Sequence, residues 1–82
     1  MNDAPFKAAC VQPSCGQDMA ANIAAVSDMV REARALGADF IAMPENVALM
    51  EHRADVLAAH AAPLNAHPAI EAFQGLARET GA

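Results

Sequence analysis

Asp39-Phe40-Ile41-Ala42-Met43-Pro44-Glu45-Asn46 is the stretch whose reading decides the fold. Four apolar residues lie between the Gly37 segment and Pro44, a run too short for a helix and suited to a buried strand. Pro44 ends that strand because proline has no N–H to give a sheet ladder. Glu45 then falls just past the strand's carboxyl end. In open α/β sheets ligands bind there, because the loops leaving the strands converge while the strands hold them rigid. A carboxylate at that place is either a solvated turn residue or a catalytic base.

Upstream, Phe6-Lys7-Ala8-Ala9-Cys10-Val11 is apolar at every position but Lys7, the pattern of a strand buried on both faces. Pro13-Ser14-Cys15-Gly16-Gln17 is a polar loop. Asp18 is a helix N-cap, since its side chain can accept from the first orphan amides. Ile23, Val26, Val30 and Ala33 then recur at steps of three, four and three, one apolar stripe of a 3.6-residue period. Gly37 gives that helix a left-handed stop. Strand, helix and strand joined by short loops form a βαβ unit, which makes the two strands parallel.

Downstream, the alanine-rich Glu51–Ala62 segment reads as a short helix with His52, Arg53 and Asp55 facing water, ended by Pro63. A last helix starts at Pro68, where the missing N–H costs nothing, with His67 as a weak cap. Its apolar stripe is Ile70, Phe73 and Ala77, and Gly81 ends it. The order β-α-β-α-α leads one to expect a third parallel strand after Ala82. The chain therefore reads as the opening piece of a longer protein, with no internal repeat or heptad.

Composition narrows the function. Eighty-two residues make one small domain, 55% of them apolar but only 4% aromatic, so the core is thin. The net charge is −5, and the five cations (Lys7, Arg31, Arg34, Arg53, Arg78) are scattered, which argues against nucleic acid and against an anionic membrane surface. The Met1–Pro5 start lacks the basic region and apolar run of a secretory leader, and no run is long enough to span a bilayer, so the expected location is the cytoplasm.

Other candidate groups read as structural. Cys10 and Cys15 lie five apart and match no zinc or redox spacing; Cys10 reads as a small buried hydrophobe, and Cys15 has no adjacent cation to activate it. His52, His60 and His67 are eight and seven apart, not the three or four that pair imidazoles on one helix face, so they read as surface residues and no metal is expected. No glycine-rich phosphate loop is present and no cofactor is expected. Met19, Met29, Met43 and Met50 are fillers of core or loop. Ser14 and Ser27 sit in no nucleophile elbow. Glu45 is the one credible chemical group.

Taken together, Lys7-Ala-Ala-Cys-Val-Gln12, Asp18 with Ala21-Asn22-Ile23, Gly37-Ala-Asp-Phe-Ile41, Met43-Pro-Glu-Asn46 and Leu49-Met50 resemble the N-terminal third of the nitrilase superfamily, the carbon–nitrogen hydrolases. The resemblance is nearest to the branch of ω-amidase and deaminated-glutathione amidase, and it covers nearly the whole chain. It implies a four-layer αββα sandwich, of which this chain supplies the β-α-β-α-α N-terminal part. It also implies a Glu-Lys-Cys triad that hydrolyses a small carboxamide to carboxylate and ammonia through a thioester. Glu45 matches the family's general base, and the family assembles as homo-oligomers. The family's lysine and cysteine lie further downstream, so neither role passes to Lys7, Cys10 or Cys15. The 82-residue chain alone is accordingly expected to be inactive. The rival expectation is a small non-catalytic α/β module that binds or completes a partner subunit through an open strand edge. A phosphate-binding half-flavodoxin is disfavoured by the missing glycine-rich loop.

Overall fold

The computed structural model describes residues 5–82, so the reading of the Met1–Pro5 start as lacking a leader falls, but for Pro5, outside it. Strand β1 (Ala8–Cys10) is followed by helix α1 (Met19–Ala35), strand β2 (Phe40–Ala42), helix α2 (Ala54–Ala59), a single 3-10 turn (Leu64–Ala66) and helix α3 (Pro68–Thr80). The two strands pair in parallel, with Ala8 opposite Phe40, Ala9 opposite Ile41 and Cys10 opposite Ala42. The expected β-α-β-α-α order is present as a small mixed α/β chain.

Local chemistry explains where each helix begins and ends. Asp18 accepts from the Ala21 N–H at 3.1 Å and caps α1. At the other end Gly37 has φ +96°, in the left-handed region. Lys7 lies over that end, its Nζ 2.9 Å from the Leu36 carbonyl, where a cation meets the negative pole of the helix. Pro68 opens α3, the His67 Nδ1 accepts from Ala69 N–H at 3.2 Å, and Gly81 closes the helix at φ +75°.

Packing joins α1 to both the sheet and α3. Val26 is wholly buried and meets Val30 and Leu76, with Ile41, Val47 and Phe73 against them. A second cluster of Val11, Ala33 and Ala38 lies under the sheet with Ala9, Met29 and Ile41. Across the α1–α3 seam the Arg31 guanidinium grips Glu79 with two bonds, at 2.7 and 3.2 Å. Arg34 ties three elements together by donating to Thr80 O, Ala38 O and Asp39 Oδ1.

Four expectations need correction. The strands are not buried on both faces: Ala9, Val11 and Ile41 pack under α1, while Ala8 and Cys10 are exposed and Phe40 is 60% exposed. Side chains alternate across a pleat, and only one face of this sheet is covered by the described residues. Cys10 is therefore exposed and no core hydrophobe. The α3 stripe is rotated: Ala69 and Leu76 are buried and Ala77 is exposed, because α3 packs on α1 as well as toward the sheet. Helix α2 is half the expected length, buries no residue, and ends at His60, ahead of Pro63. No helix among the described residues is long and apolar enough to cross a membrane.

Candidate functional site

The site is the carboxyl end of the sheet, where the loop leaving β1 meets the loop leaving β2. Both strands run the same way, so both loops emerge on one side, and the ladder continues one step past β1 with Val11 N–H bonding Ala42 O at 3.0 Å. Beyond Ala42 the chain runs through Met43 and Pro44 into a turn at Glu45–Asn46. Asn46 has φ +59°, the left-handed region that asparagine tolerates better than most residues. Val47 then returns to the core against Val26, Val30 and Leu76. The turn is thus hung between a strand and a core anchor.

The two loops are stitched to each other. Asn22, only 6% exposed on the first turn of α1, accepts from Gly16 N–H at 2.9 Å and donates to Gly16 O at 2.8 Å and Ala48 O at 2.9 Å. Met50 N–H donates to the same Gly16 carbonyl at 2.9 Å. The Cys15 thiol donates to Val47 O at 3.1 Å. Glu51 completes the seam: its side chain is 4% exposed, and Oε1 accepts from Arg53 N–H at 3.0 Å and from Gln17 Nε2 at 3.4 Å. A buried carboxylate needs such donors, and backbone N–H supplies the best of them here.

Glu45 occupies the expected place. Its side chain is exposed, and among the described residues its carboxylate takes part in no hydrogen bond or ion pair. It lines none of the five main clefts, although its neighbours line two of them. Met43 lines a narrow cleft of about 130 Å³ with Val30, Ile41, Phe73 and Leu76. Asn46 lines a wider one of about 400 Å³ with Val47, Leu49, Leu57, His60 and His67. The structure does not bring Lys7 to Glu45: Lys7 precedes β1, at the opposite end of the sheet, and is engaged with Leu36 O. Cys15 shares the Glu45 end of the sheet, but its proton is directed at Val47 O.

Among the described residues no group of three or more His, Cys, Asp or Glu side chains could hold a metal ion. His52 and His60 are exposed, and His67 is half-buried in its capping role. The displaced titrations lie away from this end. The Lys7 backbone N–H, and then the Arg34 guanidinium, hold the Asp39 carboxyl below the usual carboxylate range. Arg31 does the same to Glu79, and Glu79 in turn raises Arg31. The Arg31–Glu79 pair holds α1 to α3, and Asp39 joins the residue before β1 to Arg34 of α1.

Asn22 and Glu51 are the site residues that sequence reasoning passed over. Each is a polar residue whose burial depends on partners in another loop, and no local pattern marks such a residue; the one available signal was Asn22 standing beside the apolar stripe of α1. No family model, curated protein or solved structure matches this chain.

Proposed function

We propose that this chain carries the general base of a carbon–nitrogen hydrolase acting on a small carboxamide, and that Glu45 is that base. What supports the reading is the resemblance of Lys7–Gln12, Gly37–Ile41 and Met43–Asn46 to the nitrilase superfamily, together with the place of Glu45 in a turn anchored on both sides just beyond the carboxyl ends of two parallel strands; its carboxylate is exposed and lines none of the five clefts. A carboxylate in hydrogen-bond reach of a thiol raises its nucleophilicity, because a thiol near its free pKa is only slightly ionised at neutral pH. The carboxylate takes the thiol proton, the thiolate attacks the amide carbon while a lysine stabilises the developing oxyanion, that proton passes to the nitrogen so that ammonia leaves, and water, giving a proton to the same carboxylate, cleaves the thioester to the acid and the thiolate, which takes the proton back. Metal and cofactor have no part in this scheme. The scheme carries with it the four-layer sandwich, a homo-oligomeric assembly and a cytoplasmic location.

The lysine and cysteine of this scheme are not Lys7, Cys10 or Cys15. The gene's codons after Ala82 test the proposal: a lysine and then a cysteine placed just after a further strand support it, and a reading frame holding neither contradicts it. Ammonia release from a carboxamide by the 82-residue chain alone, lost in Glu45→Gln, would contradict the assignment of the other two groups.

A second reading is favoured by the uncovered sheet face, where Ala8, Cys10 and Phe40 are exposed beside Phe6 at 71% exposure. A non-catalytic module would use that face and the free strand edges to bind or complete a partner subunit. Sedimentation separates the two: a monomer with a cooperative melt is the module's signature, and self-association of the isolated chain that of the hydrolase piece.

A further inference from the structure

We infer that Asn22 is the positioning residue of Glu45, holding the turn in place through the two loops it joins. This inference rests on the reading of Glu45 as the base. A single buried carboxamide makes three bonds: it accepts from Gly16 N–H, and donates to Gly16 O and Ala48 O. The amide's orientation is forced, because a backbone N–H can meet only Oδ1 and backbone carbonyls only Nδ2. Gly16 in turn holds Met50 N–H, so one side chain organises both ends of a clamp between residues 16 and 48–50.

The clamp acts on Glu45 through its geometry. The segment Met43–Asn46 is fixed at its start by the Val11 N–H bond to Ala42 O and at its end by Val47 in the core and Ala48 on Asn22. Without Asn22 the start stays fixed and the end keeps only Val47 in the core and the weaker thiol bond from Cys15 to Val47 O, so the carboxylate would sweep a wider volume. A general base works only within hydrogen-bond reach of the proton it takes, and that reach is lost by small displacements. Neither Ser nor Leu at this position could replace the amide, since a hydroxyl has one proton and an alkyl group none, and buried carbonyls would be left unpaired.

Asn22→Asp is the test, read by NMR on the intact chain. It keeps an acceptor for Gly16 N–H, removes both Nδ2 donors, and sets a carboxylate against the carbonyls of Gly16 and Ala48. The expected result is amide exchange at Met50 faster by about tenfold or more, with the heteronuclear NOE of Glu45 and Asn46 falling toward mobile-loop values. Amides of Val26 and Val30 in α1 should keep their rates. Unchanged Met50 exchange and an unchanged Glu45 NOE overturn the inference, as does acceleration that runs equally through Val26 and Val30. Should the variant fail to fold, the unmutated chain still decides: the Nδ2 protons of Asn22 should exchange far more slowly than those of exposed Asn65, and equal rates overturn the clamp. Failure of the hydrolysis experiment is a separate result, because it strikes at the chemistry of Glu45 and leaves these exchange rates as they are.

Discussion

Replacing Asn46 tests the geometry of the Glu45 turn at the residue that shapes it. Asn46 is exposed, takes part in no hydrogen bond among the described residues, and has φ +59°. Its replacement therefore perturbs backbone preference with little loss of contact. A left-handed conformation costs an alanine about 1–2 kcal/mol and costs glycine almost nothing. Glycine pays instead through the entropy of its unfolded chain, about 0.5–1 kcal/mol relative to alanine. At the midpoints of those ranges Asn46→Gly is more stable than Asn46→Ala by about 0.75 kcal/mol, and for a domain near this size that separates the two melting temperatures by about 3–6 °C. Far-UV circular dichroism melts of the two variants at one protein concentration measure it. The order matters more than the size, since in any right-handed conformation alanine outranks glycine. If Asn46→Ala melts at or above Asn46→Gly, the turn is not left-handed and Glu45 is not where it has been placed.

Other outcomes follow from the packing and the charges. Leu76→Ala should cost about 2–5 kcal/mol, because it opens a cavity against the wholly buried Val26, and urea denaturation will show whether the midpoint falls accordingly. His67→Asp should raise the melting temperature, since a carboxylate is a better cap than imidazole and also meets the positive pole of α3; an unchanged or lower value would refute the capping role. Asp39 and Glu79 both titrate below their ordinary values in the folded chain, so the unfolded chain binds protons more readily. Their stabilising effect is present above the ordinary carboxylate range, near pH 4, and is lost as the pH falls through the lowered folded values. Melts across the acid range should therefore show a shallower fall for Asp39→Asn with Glu79→Gln than for the unchanged chain, and parallel curves would contradict the pairing.

The legible parts of this fold are those with local chemical signals. Asp18, Gly37, Pro68 and Gly81 each act on groups within a turn of themselves, and each stands where its chemistry put it. Parallel pairing followed as well, from one helix between two apolar runs. The side of the sheet that stays uncovered was not legible, because Ala8, Cys10 and Phe40 are as apolar as the residues beneath α1. Nor was the rotation of α3, where Ala69 and Leu76 lie within a residue of the expected Ile70 and Ala77, and only the position of α1 chooses between the two stripes. Glu45 could be placed from Gly37 and Pro44 alone. Its support could not, because the bond from Asn22 to Ala48 spans 26 residues and leaves no periodic trace.

The central claim is that Glu45 does chemistry, and turnover tests it most directly. In a protein that supplies the lysine and cysteine of the proposed triad, ammonia release from a small carboxamide should fall by about 10²–10⁴-fold in Glu45→Gln, with folding unchanged because the side chain is exposed and makes no hydrogen bond or ion pair among the described residues. A Glu45→Gln protein that releases ammonia at the rate of the parent would show that this carboxylate is a solvated turn residue and no base.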